Sequence, residues 1–199
     1  MRVNETFVSL QGEGYFTGTP AFFLRLSGCN LRCSFCDTHH QSYKEMSEEE
    51  IVEEASRHKP RHIVITGGEP ALQLTKSLID KLHEAGFFIQ VETNGTLPLP
   101  EGIDWVTCSP KQTLSNSPLK GEDIKIDELK VLFMGDGSDP EVIISPLLGE
   151  GSGVRLFLQP LDTGNAERNR IILRDTIAYV MQHPKWSLSL QTHKLLGIK

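Results

Sequence analysis

Three of the four cysteines in this 199-residue chain fall within Ser27-Gly28-Cys29-Asn30-Leu31-Arg32-Cys33-Ser34-Phe35-Cys36-Asp37-Thr38, spaced C-x3-C-x2-C. Three thiolates on one short loop can bind three irons of a [4Fe–4S] cluster and leave the fourth iron without a protein ligand. An open iron is a place for chemistry, because a cosubstrate can chelate there and receive an electron. The same residues are also open to a zinc reading, with His39 or His40 completing the set, or to being three unrelated cysteines. Structural zinc usually takes its ligands as two separated pairs, and the sequence has no second pair.

Further polar groups recur at fixed places. Gly67-Gly68-Glu69-Pro70 combines glycines that allow close backbone approach with carbonyls and a carboxylate that can accept from an ammonium. By itself it also reads as a tight strand-to-helix turn. Thr93-Asn94-Gly95 and Ser109-Pro110-Lys111 are polar breaks after apolar runs, open to a nucleoside or substrate and equally to plain solvent-facing turns. Arg25 sits inside the apolar run Ala21–Leu26 and needs an anion: a ligand carboxylate, or a salt bridge to Glu13 or another acid. Gln11-Gly12-Glu13-Gly14 offers amide and carboxylate groups to a flat polar heterocycle, or is a simple turn. Glu92 ends an apolar strand, so burial would demand a partner. Cys108 stands alone and reads as a small buried hydrophobe.

The elements that must hold these groups alternate. Strands are predicted at Val3–Ser9, Ala21–Leu26, His62–Thr66, Phe87–Glu92, Trp105–Cys108, Leu129–Phe133, Val154–Leu158 and Trp186–Leu190. Ser47-Glu48-Glu49-Glu50 has the form of a capping box, opening a helix to about Arg57. A second helix through Leu72, Leu78, Ile79 and Leu82 closes at Gly86, and Asp139-Pro140 resembles a helix start. Ala166–Gln182 is the longest helical pattern, with Ile171, Ile172, Ile177, Val180 and Met181 as its apolar face. Gln112 to Asp127 is polar without a stripe, so one crossover helix is missing or reduced. Alternating strands and helices imply an α/β chain with parallel pairing. The polar groups follow the strands, the rim on which a β/α barrel builds its site.

Totals narrow the partners. One domain, residues 1–199, is expected, and a hydrophobic share of 38% with 23% charged suits a soluble core. No apolar run approaches the roughly 20 residues of a membrane span, and the first residues lack a secretory plan. A formal charge of -6 argues against a nucleic-acid partner. Clustered cysteines without a disulfide framework point to a reducing cytoplasm.

Together, Phe7–Gly14, Phe23–Cys33, Cys36–Thr38, Thr66–Pro70, Glu92–Thr96, Ser109–Lys111 and Leu190–Lys194 resemble the 7-carboxy-7-deazaguanine synthase branch of the radical S-adenosylmethionine (SAM) enzymes, over nearly the whole chain. The resemblance implies an abbreviated, partial β/α barrel of the radical SAM type with reduced helices. It implies a carbon–nitrogen lyase of queuosine and 7-deazapurine biosynthesis. The reaction turns 6-carboxy-5,6,7,8-tetrahydropterin into 7-carboxy-7-deazaguanine with loss of ammonia, through reductive cleavage of SAM to a 5′-deoxyadenosyl radical. By the same resemblance Cys29, Cys33 and Cys36 hold the [4Fe–4S] cluster. Phe35, Cys36, Asp37, Gly67, Gly68, Glu69, Gly95, Ser109, Pro110 and Lys111 bind SAM, and Leu10, Gln11, Gly12, Glu13, Arg25 and Thr93 bind the pterin. Thr38 takes Mg2+. A homodimer and a flavodoxin-like electron donor are also implied. A small radical SAM activase and a zinc-binding module are the alternatives.

Overall fold

The computed structural model describes residues 1–38, 42–111, 125–144 and 153–199. The chain starts as a hairpin: β1 (Arg2–Leu10) returns antiparallel as β2 (Pro20–Leu26), and the two-residue β3 (Lys44–Glu45) adds to β1 at the sheet edge. From β2 onward each neighbour is parallel: β4 (His62–Gly67), β5 (Phe88–Thr93), β6 (Trp105–Cys108), β7 (Glu128–Phe133), β8 (Arg155–Pro160) and β9 (Trp186–Leu188). The spatial order is β3-β1-β2-β4-β5-β6-β7-β8-β9. Among the described residues β9 pairs only with β8, so the sheet curves without closing and the partial barrel is confirmed. β3 was not foreseen; two residues carry no readable alternation.

Residues of period two decide what faces each side. Phe22, Leu24 and Leu26 join Ile63, Ile65, Ile89 and Val91 in a core shared with α1 (Glu48–Ser56) and α2 (Lys76–Glu84). Ala21 and Phe23 lie on the other face with Val64 and Phe7. Arg25 continues that second series, which explains a charge inside an apolar run. A smaller core joins Leu129, Val131, Leu156 and Leu158 to Ile144 of α3 (Pro140–Ile144) and to Val180 of α4 (Ala166–Gln182). The last helix, α5 (Thr192–Leu196), follows β9.

The helix boundaries follow their caps. The Ser47 hydroxyl accepts from Glu50 N at 3.1 Å while the Glu50 carboxylate accepts from Ser47 N at 2.7 Å, so the capping box is present. Gly86 has φ 81, as a residue just past a helix end requires. The expected helix through Leu72 is divided. Pro70–Leu72 forms a short 3-10 turn, Thr75 caps a new start by accepting from Leu78 N, and Leu72 is exposed. In α4 only Ile172 and Thr176 are buried, whereas Ile171, Ile177 and Met181 are exposed, so the apolar face is narrower than its periodicity suggests. Most of the Gln112–Asp127 segment, and His39 and His40, lie outside the described residues. Among those described, no helix is long and apolar enough to cross a membrane.

Candidate active site

The concave face of the sheet and the loops after its strands enclose a cavity of about 1380 Å³. That exceeds the roughly 300–1,000 Å³ of an ordinary small-molecule pocket, and suits two ligands side by side. Cys29, Cys33, Phe35, Cys36, Asp37 and Thr38 line it from one loop. Gly67 and Gly68 follow from the end of β4, Thr93 from β5, Ser109 and Lys111 from beyond β6. Leu10, Gln11, Gly12, Glu13 and Arg25 line it from the first hairpin. Of the expected site residues, Glu69, Gly95 and Pro110 lie behind this lining.

The cysteine loop is fixed by its neighbours. Cys36 N donates to Cys33 O at 3.2 Å, and Leu31 N to Cys29 Sγ at 3.4 Å. Asn30 donates to Thr96 Oγ1 at 2.8 Å and accepts from Asn94 Nδ2 at 3.0 Å, tying the loop to the turn after β5. All three thiols are free; Cys29 and Cys33 are half-buried and Cys36 is exposed. Burial pushes the Cys33 thiol up, and the sulfurs of Cys36 and Cys29 add to that while Lys111 opposes it. A bound metal would favour the deprotonated sulfur that burial disfavours. Among the described residues no three His, Cys, Asp or Glu side chains converge on a single ion. A cluster asks for less convergence, since each thiolate takes a different iron. The loop supplies three thiols, the number that a cluster with one open iron takes from the protein.

Close backbone approach explains the glycines at β4. Gly68 N donates to Leu26 O at 3.0 Å and Glu69 N to Gly28 O at 2.8 Å, so the turn lies against the start of the cysteine loop. Gly67 has φ 131, which L side chains avoid. Glu69, expected as an acceptor facing a ligand ammonium, is fully buried. Its carboxylate accepts from Ala71 N at 3.0 Å, Thr93 Oγ1 at 2.8 Å and Asn94 N at 2.8 Å. It caps the 3-10 turn and braces Thr93 and Asn94 from behind the cavity lining. Burial raises its pKa against the pull of those donors.

At the other end of the cavity the groups are charged. Arg25 Nε donates to Glu5 Oε1 at 2.9 Å, with the guanidinium over the Phe7 ring. The acid beside it is thus Glu5, not Glu13. Glu13 pairs with Lys130 at 2.6 Å, and Glu92 with the same ammonium at 2.8 Å. Glu92 accordingly has the partner that burial demanded. Burial opposes ionisation of Glu13, but Lys130 outweighs it and holds the carboxyl at about 2. Lys111 donates to Ser109 Oγ at 2.7 Å, and burial lowers its pKa. His193 of α5 lies so close to Gly12 that a Cβ there would meet Nδ1 at 2.2 Å. Burial first, then Lys194, depresses its pKa, leaving a neutral ring near pH 7. Thr38 Oγ1 donates to Asp37 Oδ1 at 3.5 Å, so two hard oxygen donors stand together on the wall.

Lys130 was missed in the sequence because Leu129–Phe133 reads as an apolar strand. The strict alternation Glu128, Lys130 against Leu129, Val131 was the available signal. Below it, Glu128 accepts from Tyr15 N at 3.0 Å and crowds Gly14, whose added Cβ would meet Oε1 at 2.0 Å. Burial, with Glu92 nearby, pushes the Glu128 carboxyl to about 7. Its folded pKa lies above the unfolded value, so the folded state binds more protons between the two and loses stability as pH rises through that window. Glu128→Gln keeps an acceptor for Tyr15 and removes the charge. Chemical denaturation should find no gain below about pH 4.5 and a gain growing to at most about 3 kcal/mol above pH 7. A gain that is the same at pH 4 and pH 8 would contradict this.

Comparison with known proteins agrees with the geometry. A model of the Radical SAM superfamily matches residues 24–111, the segment from β2 through Lys111 that carries the cysteine loop and the three turns after it. The 7-carboxy-7-deazaguanine synthase of Bacteroides thetaiotaomicron is 49% identical over 198 residues, 100% of this chain and 98% of that one. That of Bradyrhizobium diazoefficiens is 36% identical over 99% of this chain and 98% of its own. The crystal structure of QueE from Escherichia coli superposes with a TM-score of 0.75 at 30% identity, covering 95% of this chain and 92% of that one. Streptococcus suis SuiB shares the fold alone, with a TM-score of 0.52 at 12% identity over 83% of this chain and 47% of SuiB.

Proposed function

We propose, from the premise that this chain belongs to the 7-carboxy-7-deazaguanine synthase family of radical SAM enzymes, how its own residues divide the work of converting 6-carboxy-5,6,7,8-tetrahydropterin to 7-carboxy-7-deazaguanine. Cys29, Cys33 and Cys36 hold a [4Fe–4S] cluster. When bound, such a cluster would supply the electron for reductive cleavage of SAM at an iron that these cysteines leave open. Gly67 and Gly68 present backbone to the amino acid end of SAM, while Phe35, Asp37, Ser109 and Lys111 flank the rest of it. Glu69, Gly95 and Pro110 support these positions from behind. Leu10, Gln11, Gly12, Glu13 and Thr93 surround the pterin, and Arg25 meets its carboxylate. Thr38, beside Asp37, would offer its hydroxyl to Mg2+, a cation that favours oxygen donors.

The observation that carries this reading is that the three free thiols and the Gln11–Glu13 turn line one cavity. Anaerobic incubation with SAM, a reductant and the pterin should give 7-carboxy-7-deazaguanine and ammonia. SAM cleavage without that product would overturn the assignment and favour a different radical SAM enzyme.

Arg25→Ala should weaken pterin binding at least about tenfold while the cluster remains, since a charge-assisted fork is lost. Unchanged affinity by calorimetry would make Arg25 only a brace for Glu5. The chain acts as a single domain and as a homodimer. The exposed Ile171, Ile177 and Met181 of α4 support a subunit contact, to be checked by sedimentation. A flavodoxin-like donor in the cytoplasm supplies the electron, and the exposed Arg32 on the cysteine loop suits an acidic partner.

A further inference from the structure

The Lys130 ammonium is an unusual thing to find on the floor of a cavity. Its side chain is 5% exposed, and its nitrogen reaches Glu13 at 2.6 Å and Glu92 at 2.8 Å. A buried ion pair adds little stability over apolar residues of the same volume, so stability alone does not account for it. Around the three charges the amides are ordered. Gln191 donates to Glu13 Oε1 at 2.9 Å, and Gln11 and Gln90 to Glu92 Oε1 at 3.2 and 3.1 Å. Two carboxylates offer roughly eight acceptor directions, of which Lys130 and these three amides use five. Both carboxylates line the cavity. Acceptors remain, then, on a surface whose donors are already spent inward.

We propose that Lys130 is a positioning residue for substrate recognition: it clamps Glu13 and Glu92 into one fixed anionic pair whose spare lone pairs read the N–H donors of a 2-amino-4-oxopyrimidine ring. The inference rests on the pterin assignment above. Such a ring presents adjacent ring N–H and amino donors, the complement of a carboxylate, and a site built to meet them rejects rings lacking them. Lys130 acts through the two carboxylates and does not itself touch the ring. The groups facing this cluster are Glu13 from the first hairpin, Glu92 from β5, Lys111 beyond β6, Glu128 from β7 and His193 from α5. Without the ammonium, Glu13 and Glu92 repel and share a proton toward neutral pH. A protonated carboxyl offers one acceptor fewer and one unwanted donor.

The test is calorimetric binding of 6-carboxy-5,6,7,8-tetrahydropterin to the cluster-loaded, unreduced enzyme, so that no turnover intervenes. For Lys130→Met the ratio of variant to wild-type Kd should be about tenfold or more at pH 6.5 and narrow by pH 8.5, as the pair ionises. Lys130→Arg, which keeps the charge, should hold a ratio independent of pH. If Lys130→Met does not fold, Lys130→Met with Glu92→Gln removes one of the two unpaired charges and should lose about tenfold in affinity beyond Glu92→Gln alone. Wild-type affinity in either methionine variant, or a loss equal at both pH values in Lys130→Met, would overturn the inference. Absence of binding by the wild-type enzyme would instead overturn the substrate assignment, and this inference with it.

Discussion

Cys33→Ala should give a folded protein with little bound iron and no detectable product. The wild-type chain, purified without oxygen, should carry roughly four irons. With Cys33 gone, only Cys29 and Cys36 remain on the loop, and two thiolates cannot hold a cluster that already leaves one iron open. The fourth cysteine gives no rescue. Cys108 is fully buried, behind Gly95, and burial pushes its thiol up to about 12. Cys108→Ala should accordingly keep its full iron, which makes it the control. Iron analysis with electron paramagnetic resonance before and after adding SAM reads both variants. Full iron and normal turnover in Cys33→Ala would show that the loop is not the cluster site.

Gly68→Ala should be nearly as damaging, though no ligand is touched. A Cβ at this position would stand 1.9 Å from Gly28 O, 2.4 Å from Gly28 C and 3.0 Å from Cys29 N. These are backbone atoms, so no flexible side chain can swing aside. Either the β4 turn retreats, breaking the bonds from Gly68 N to Leu26 O and from Glu69 N to Gly28 O, or Cys29 is driven out of position. Overpacking of this kind costs on the order of 1–3 kcal/mol. The larger effect is on function, because displacement by about an ångström can cost about 100-fold in rate. The variant should unfold at lower denaturant and lose the spectral change that SAM induces. A variant with wild-type stability and SAM response would mean that the turn and the cysteine loop are not in contact.

How much of this was readable from the chain depended on whether a residue's role is local. The cysteine spacing, the Ser47 capping box and the Gly86 helix end are written within a few residues of one another, and each was legible. Strand alternation and the placement of polar groups after strands made the parallel α/β arrangement legible, whereas the abbreviated barrel came from the family resemblance. The burial of Glu69 was not legible because its surroundings come from 24 and 25 residues away, at Thr93 and Asn94. Leu72 was drawn into α2 because periodicity cannot see that Thr75 caps a separate start. The width of the α4 face went wrong for a related reason. A stripe says which residues are apolar, but the packing of α4 decides which of them are covered. Lys130 was hidden because its partners, Glu13 and Glu92, lie 117 and 38 residues away. A strand displays its alternation but not what waits across the cavity.

The joint between Gly12 and helix α5 has a consequence for the order in which the enzyme becomes complete. Thr192 N and Oγ1 both donate to Gly12 O, at 2.9 and 3.0 Å, across 180 positions of sequence. Lys194 meanwhile joins Asp37 to Asp162. During synthesis the cysteines and the first hairpin emerge long before the helix that walls them in. Until then the vessel has a missing side, and any iron captured early faces solvent. A chain cut short within β9 would therefore keep the cysteine loop and the first hairpin but lack the helix that bonds to Gly12.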